Sequence, residues 1–289
     1  MSSIPQSANT PQNYRRYANE LLDFGWKNAR ASIFGVLLLG MMLATDDYPL
    51  RWIARYDLLF IGAIFIQGLL IFFHLETRRE TIAILCFHAV ATLMEIYKTS
   101  EGIGSWTYPE PCFFKIANVP LFAGFMYSAV GSYLVCAWSI FKLKFNNYPA
   151  AGLTLILASL IYLNFFTHHF LPDVRLPLFL ASLILFSRTT VSFKVLSSTY
   201  RFPFILSMIL IAFFIWIAEN ISTYSNIWLY PHQSYAWKLV PLQKIGAWYL
   251  LMIISFVIVN ELRKVDYTTI TLGLNIGFNK ATKSQNPKP

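Results

Sequence analysis

The sequence predicts an all-α polytopic membrane helix bundle of about eight transmembrane helices, built as two parallel four-helix repeats. Three observations carry this expectation. Charge is scarce, apolar runs of spanning length recur along the chain, and one phrase of acidic and aromatic residues occurs twice. Charged residues make up 13% and hydrophobic residues 56% of the 289 positions. A soluble domain carries about 25% charge, so too little polar surface is present to cover a water-soluble globule of this size. The mean hydropathy is +0.50. The formal charge of +9 does not point to nucleic acid. Lysine and arginine sit singly or in pairs between apolar runs, as charges flanking membrane helices do.

A bilayer core needs roughly 17–25 mostly apolar residues per helix. The predicted spans are Ala31–Thr45, Tyr56–Leu75, Glu80–Tyr97, Val119–Phe141, Tyr148–Thr167, Val174–Phe193, Phe202–Asn220 and Val240–Asn260. The first is short and draws on the amphipathic stretch before it. The third admits His88 and ends on Glu95. The fourth carries Gly124, Ser128 and Ser132 at four-residue spacing, a small-residue stripe suited to close helix packing. The fifth ends in Asn164 with His168 and His169 beyond it, and the seventh ends in Glu219 and Asn220. Polar or proline-bearing connectors separate the runs, and none is long enough to hold a soluble domain.

The organisation that follows is a polar N-terminal segment (1–29), an eight-helix membrane domain (30–262, halves about 30–142 and 148–262) and a basic polar tail (263–289). With both ends inside, the inner segments collect Arg15, Arg16, Lys27, Arg30, Arg78, Arg79, Lys142, Lys144, Arg188, Lys194, Arg201 and the basic tail. The outer ones hold only Arg51, Arg55, Lys98, Lys115, Arg175, Lys238 and Lys244. This asymmetry predicts cytoplasmic termini. The first run then serves as an uncleaved insertion signal, since the chain is polar to about Asn28. The three cysteines make no disulfide framework. Cys86 and Cys136 fall inside apolar runs, Cys112 lies in a loop, and no zinc spacing is present.

The duplicated phrase is the most informative feature. Glu95 leads to Trp106-Thr-Tyr108-Pro109 and then Val119-Pro120-Leu121. Glu219 leads to Trp228-Leu-Tyr230-Pro231 and then Val240-Pro241-Leu242. Each phrase joins the end of one span to the start of the next. Four spans separate the copies, which gives both the same orientation and implies two halves related by an axis along the membrane normal. The two glutamates would then face each other between the halves, on the outer side.

An intramembrane carboxylate is costly and is a functional candidate by default. Two equivalent ones suit an acid and a base of separated strength. Against this stands a structural role, each glutamate bonding a neighbouring helix or interfacial water. His88 lies two turns before Glu95 on nearly the same helix face, where it tunes Glu95 or donates to a backbone carbonyl. In "NFFTHHFLPD", Asn164, His168, His169 and Asp173 either order the outer loop or contribute a base. No cofactor is predicted. The metal this donor set would accept is divalent, zinc or iron, through His168, His169, Glu95 and Glu219. Trp106, Tyr108, Trp228 and Tyr230 are interfacial anchors or a cation-stabilising wall for a substrate. The five histidines are too few and scattered for the histidine boxes of membrane desaturases. No P-loop, HExxH or Gly-x-Ser-x-Gly occurs.

The stretches "FHAVATLMEIYKTSEGIGSWTYPEPCFFKIANVPLFAGFMYSAVGSY", "NFFTHHFLPD" and "FIWIAENISTYSNIWLYP" resemble the YoaT-like family of bacterial membrane proteins, across nearly all of residues 58–262. That resemblance implies a multi-pass protein of the bacterial cytoplasmic (inner) membrane and supplies no activity. The order of a carboxylate, Trp-x-Tyr and Val-Pro-Leu also looks like the membrane lycopene cyclases and carotenoid hydratases. Those families imply protonation of a polyprene double bond, with Glu95 and Glu219 matching the carboxylate position. The cyclases carry acidic residues directly after the proline motif, where this chain has Leu121-Phe122 and Leu242-Gln243. The expected partners are the lipid bilayer and a hydrophobic small molecule. The expected function is acid–base chemistry, hydration or isomerisation/cyclisation, on an isoprenoid-like substrate, and the alternative is a proton-coupled transporter or permease.

Overall fold

The computed structural model describes residues 11–46, 52–73 and 78–264. Residues 1–10, His74 and the end of the second predicted span, and most of the basic tail lie outside the described residues, as does the side chain of Cys86. The described chain is mostly helical: α1 (Pro11–Ala31), α2 (Ile33–Ala44), α3 (Arg55–Phe72), α4 (Arg78–Lys98), α5 (Ala123–Ile140), α6 (Ala151–Thr167), α7 (Arg175–Phe186), α8 (Phe204–Tyr224) and α9 (Lys244–Lys264). Four of these, α3, α5, α8 and α9, are long and apolar enough to cross a membrane. The pair α1–α2, bent by 68°, makes a fifth only if its two helices count as one span, and α6 and α7 are apolar but shorter. Large apolar side chains along the helices face outward, among them Phe65, Phe72, Ile184 and Phe214. This pattern suits contact with lipid and not water.

The all-α expectation is corrected by two small antiparallel sheets. β1 (Lys115–Ile116) pairs with β2 (Val119–Pro120), so the Val-Pro-Leu motif is entered through a strand and α5 starts only at Ala123. β3 (Lys144–Asn146), β4 (Thr190–Val195) and β5 (Ser198–Pro203) form the second sheet, in the order β3-β4-β5. The sixth predicted span, Val174–Phe193, is therefore wrong at its end. Its helix stops at Phe186, and "TTVSFKV" turns into β4. The residues explain this: β-branched Thr and Val with alternating polarity favour a pleated strand over a helix. The turn back into β5 holds Leu196 at φ 49°, a left-handed conformation that a β-carbon disfavours. The carboxylate of Asp23 in α1 accepts the Leu196 N–H at 2.9 Å and fixes the turn.

Two apolar cores interlock. One joins α4 and α5 to the later helices through Phe87, Leu134, Ile161, Met208, Tyr249 and Phe256. The other is built on Phe34, Leu38, Tyr56 and Leu59 of α2 and α3, but Ile227, Trp228, Tyr230 and Val240 from the α8–α9 connection complete it. The close approach of α4 to α5 depends on glycine. A Cβ at Gly131 would collide with the Phe87 ring, and one at Gly124 with His88 and Thr92. The β3-β4-β5 sheet marks one end of the bundle, because α5 runs into it and α8 out of it. The two Trp-x-Tyr loops mark the other end.

Candidate functional site

Glu95, in the last turn of α4, is 1% exposed. Its Oε2 accepts hydrogen bonds from Trp106 Nε1 (2.9 Å) and the Tyr108 hydroxyl (2.8 Å), and its Oε1 accepts one from the Tyr127 hydroxyl (2.6 Å). Glu219, in α8, is 2% exposed. Its Oε1 accepts from the Tyr230 hydroxyl (2.5 Å) and its Oε2 from Trp248 Nε1 (2.8 Å). Each buried carboxylate is thus held by a tyrosine of its own Trp-x-Tyr loop and by an aromatic donor from the next helix. Such fully satisfied polar groups can be buried without the penalty of an orphaned acceptor. The phenols of Tyr108 and Tyr230 lie in the loops. Burial, with a glutamate next to each, pushes their pKa values well above the ordinary value, so both remain donors at neutral pH.

The two sets of donors touch. Trp106, bonded to Glu95, packs edge-on against Tyr230, bonded to Glu219, with ring centroids 6.3 Å apart. Tyr127 and Trp248 are likewise 6.3 Å apart. Between the loops, Thr107 and Leu229 form an antiparallel bridge. Both glutamates line a single cavity of about 890 Å³, together with Trp106, Tyr108, Tyr127, Trp228, Tyr230 and Trp248. This lies within the usual 300–1,000 Å³ of ligand pockets. Its remaining wall is nearly all apolar, from α1, α2, α5 and α8, and ends at Phe141, Phe145 and Phe193 beside the β3-β4-β5 sheet. Phe204 and Ser222 both line it, so at 1.5 Å per residue it follows α8 for roughly 27 Å. That is close to the hydrocarbon thickness of a bilayer, about 30 Å.

The other expected site residues go elsewhere. His88 lies against Gly124 and the Phe125 ring, at a centroid distance of 4.7 Å, and is not among the partners of Glu95. Asn220 Oδ1 accepts the Val240 N–H at 2.8 Å, tying the chain that leads into α9 to α8. Asn164 Oδ1 accepts the Val174 N–H at 3.2 Å. Asp173 pairs with Arg175, which is the main reason its carboxyl is held down at about 2. These roles are local and structural. His168 and His169 converge on Lys98, whose Nζ lies 3.3 Å and 2.9 Å from their Nε2 atoms. His168 Nδ1 is 2.8 Å from the Asn164 carbonyl. A proton on that nitrogen donates to the carbonyl and leaves Nε2 free to accept from the lysine. The Lys98 amine thus lies within hydrogen-bond reach of both imidazoles. Among the described residues no group of three or more His, Cys, Asp or Glu could hold a metal ion.

Tyr127, Trp248, Lys98 and Lys244 were missed by sequence reasoning. For the first two a signal existed. Each stands eight residues beyond the valine of Val-Pro-Leu, at 119 to 127 and 240 to 248, so laying the two phrases in register finds them together. Lys244 caps the aromatic wall from outside, its Nζ 4.2 Å from the Tyr230 ring centroid.

A protein family described as "Protein of unknown function (DUF817)" matches residues 20–256. The chain belongs to the DUF817 family. It is 42% identical over 250 residues to a protein of Bacillus subtilis (strain 168) named "Uncharacterized protein YoaT", covering 86% of this chain and 94% of that one. No solved structure matches it. The DUF817 match runs from within α1 into α9 and so contains the whole cavity and both of its glutamates.

Proposed function

We propose that this DUF817 protein is a multi-pass enzyme of the bacterial inner membrane that holds a hydrophobic, isoprenoid-like chain in the cavity and performs acid–base chemistry on it at Glu95 and Glu219. The observation that carries the reading is that two buried carboxylates open onto one apolar cavity of bilayer length. A hydrocarbon chain lying along α8 would bring one end to both carboxyl groups. One glutamate donates a proton to a double bond there, and the other removes a proton from the neighbouring carbon or from an attacking water. Proton loss shifts the double bond, or closes a ring where a second double bond of the same chain first attacks the cation, and addition of water hydrates it. The tyrosine hydroxyls and indole N–H groups orient the carboxyl groups, and the indole and phenol faces offer a negative surface to developing positive charge.

The eight-span, two-repeat architecture is part of this proposal. It is supported by the pairing of the two loops and by the matched donors on the two glutamates. The basic residues clustered at the sheet end of the bundle support cytoplasmic termini. The test is lipid and pigment profiling of cells carrying Glu95→Gln or Glu219→Gln. Loss of one product with the protein still inserted in the membrane is expected. A profile identical to wild type in both variants would remove the catalytic reading.

The length of the cavity favours one second reading, proton-coupled transport of a small hydrophobic molecule. In reconstituted vesicles this predicts flux that collapses when the proton gradient is dissipated. Chemistry without flux rejects it.

A further inference from the structure

Helix α1 is amphipathic in an inverted sense. Its polar side faces the protein. Glu20 accepts hydrogen bonds from the hydroxyls of Ser198 (2.6 Å) and Tyr200 in β5 and is paired with Arg16. Asp23 accepts from the Leu196 N–H, and Lys27, paired with Asp23, donates to the Lys194 carbonyl at 3.2 Å. Apart from Phe24, which packs on Phe141 and Phe193, its large apolar side chains face away. Tyr14, Tyr17, Leu21, Leu22 and Trp26 are 62–71% exposed. A helix on a water-soluble protein turns its apolar stripe to the core, and here five polar tethers to the hairpin hold it the other way. The arrangement is stable only if the surroundings of α1 are less polar than the hairpin it rests on.

We infer that α1 is an in-plane membrane anchor, its Tyr14–Trp26 face seated at the boundary between headgroups and acyl chains of an anionic lipid surface. Three further observations choose this occupant over a protein partner. Helix α1 continues into apolar α2 through a 68° bend, so it lies across the direction of a helix that enters the membrane. Tyrosine and tryptophan are the residues that settle at that depth. This end of the molecule is also basic. Arg15, Arg30, Lys142, Lys144, Arg188 and Arg201 are exposed there, while the acids Glu20 and Asp23 are consumed by the hairpin, and juxtamembrane basic residues attract anionic lipid. One consequence concerns access. Phe24, Gly25, Asn28 and Ala29 of α1 line the sheet end of the cavity, so the anchor sets that end at headgroup level, where a lipid-soluble molecule can reach it. The anchor stands whether or not Glu95 and Glu219 do chemistry.

The test uses the full chain in vesicles of mixed anionic and zwitterionic lipid, compared with its Trp26→Phe variant. Trp26 is exposed, so the change leaves the packing intact, and the difference between the two emission signals isolates this indole. Lipids brominated high on the acyl chain are expected to quench that signal more than deeply brominated ones, and aqueous iodide to quench it little. Quenching by iodide without quenching by brominated lipid would overturn the inference in favour of a face in water. Protection from both would overturn it in favour of a second copy of the chain covering the helix. Equal bromine quenching in purely zwitterionic vesicles would overturn the preference for anionic lipid.

Discussion

Thr107 and Leu229, the middle residues of the two Trp-x-Tyr loops, exchange both of their backbone hydrogen bonds, each at 2.9 Å. The bridge sets Trp106 against Tyr230 and so links the donors of Glu95 to those of Glu219. The Thr107 side chain is exposed, and the bridge belongs to the backbone. Thr107→Ala is therefore expected to leave stability unchanged within error. Thr107→Pro removes an N–H and leaves the Leu229 carbonyl without its partner, at a cost of about 1–3 kcal/mol. Thermal unfolding of the two variants in detergent checks this, and equal midpoints would show that the bridge contributes nothing.

Gly124 is one of two glycines at which α5 packs tightly on α4. A methyl group there would meet the His88 ring and stand 2.8 Å from Thr92 Oγ1. Gly124→Ala is expected to destabilise by about 1–3 kcal/mol through overpacking. Gly152, in the first turn of α6, has nothing within 4 Å of an added Cβ. Gly152→Ala should therefore be neutral or slightly stabilising by helix propensity. The pair measured side by side separates a steric effect from a propensity effect.

Ala218 lines the cavity beside Glu219 and makes none of the carboxylate's hydrogen bonds. Ala218→Phe should fill part of the chamber while leaving Glu219 in place. Mass spectrometry of lipid extracted from the purified protein should show a hydrophobic species held by wild type and depleted in the variant. Equal retention would place the ligand elsewhere.

Lys98 gives the protein a specific pH response. Burial, followed by the nearby charges of Lys244 and Arg175, pushes its pKa down to about 8, whereas an unfolded lysine titrates near about 10.4. Below pH 8 both states are protonated, and the cost of the buried charge is present in full. Between the two values the unfolded chain binds more protons, so stability rises with pH. Burial lowers His168 and His169 in the same sense, so acidification through the ordinary imidazole range costs further stability. The unfolding midpoint of wild type is expected to climb relative to Lys98→Met between pH 7.5 and 9.5. A constant difference between them would mean that Lys98 titrates as an ordinary lysine.

The residues of the candidate site stand out in the sequence because two stretches share one order and spacing. Glu95 with Trp106 and Tyr108, and Glu219 with Trp228 and Tyr230, stand at matched spacing, and all six line the cavity. His88 and Asn164 are suggested by helical spacing, and Asn220 and Asp173 by polar neighbours in the sequence. They turned out to satisfy local backbone, pair with an arginine, or pack in a helix contact. The helix that ends at Phe186 was overextended. The apolar run before Ser187 reads as helix, the alternating β-branched stretch after it as strand, and the pairing of β4 with β3 and β5 sets the boundary.

The sequence by itself determined that this chain is rich in apolar helices and that two acidic residues recur in one aromatic setting, because composition and spacing are one-dimensional properties. Only the tertiary structure decided that both carboxylates open onto the same chamber. It alone supplied Tyr127 and Trp248 as their further donors, put Lys98 within reach of the two histidines, and turned most of the large apolar side chains of α1 outward. Those relations join residues far apart in the chain. They are fixed by which helix faces pack together, and the order of residues does not encode that locally.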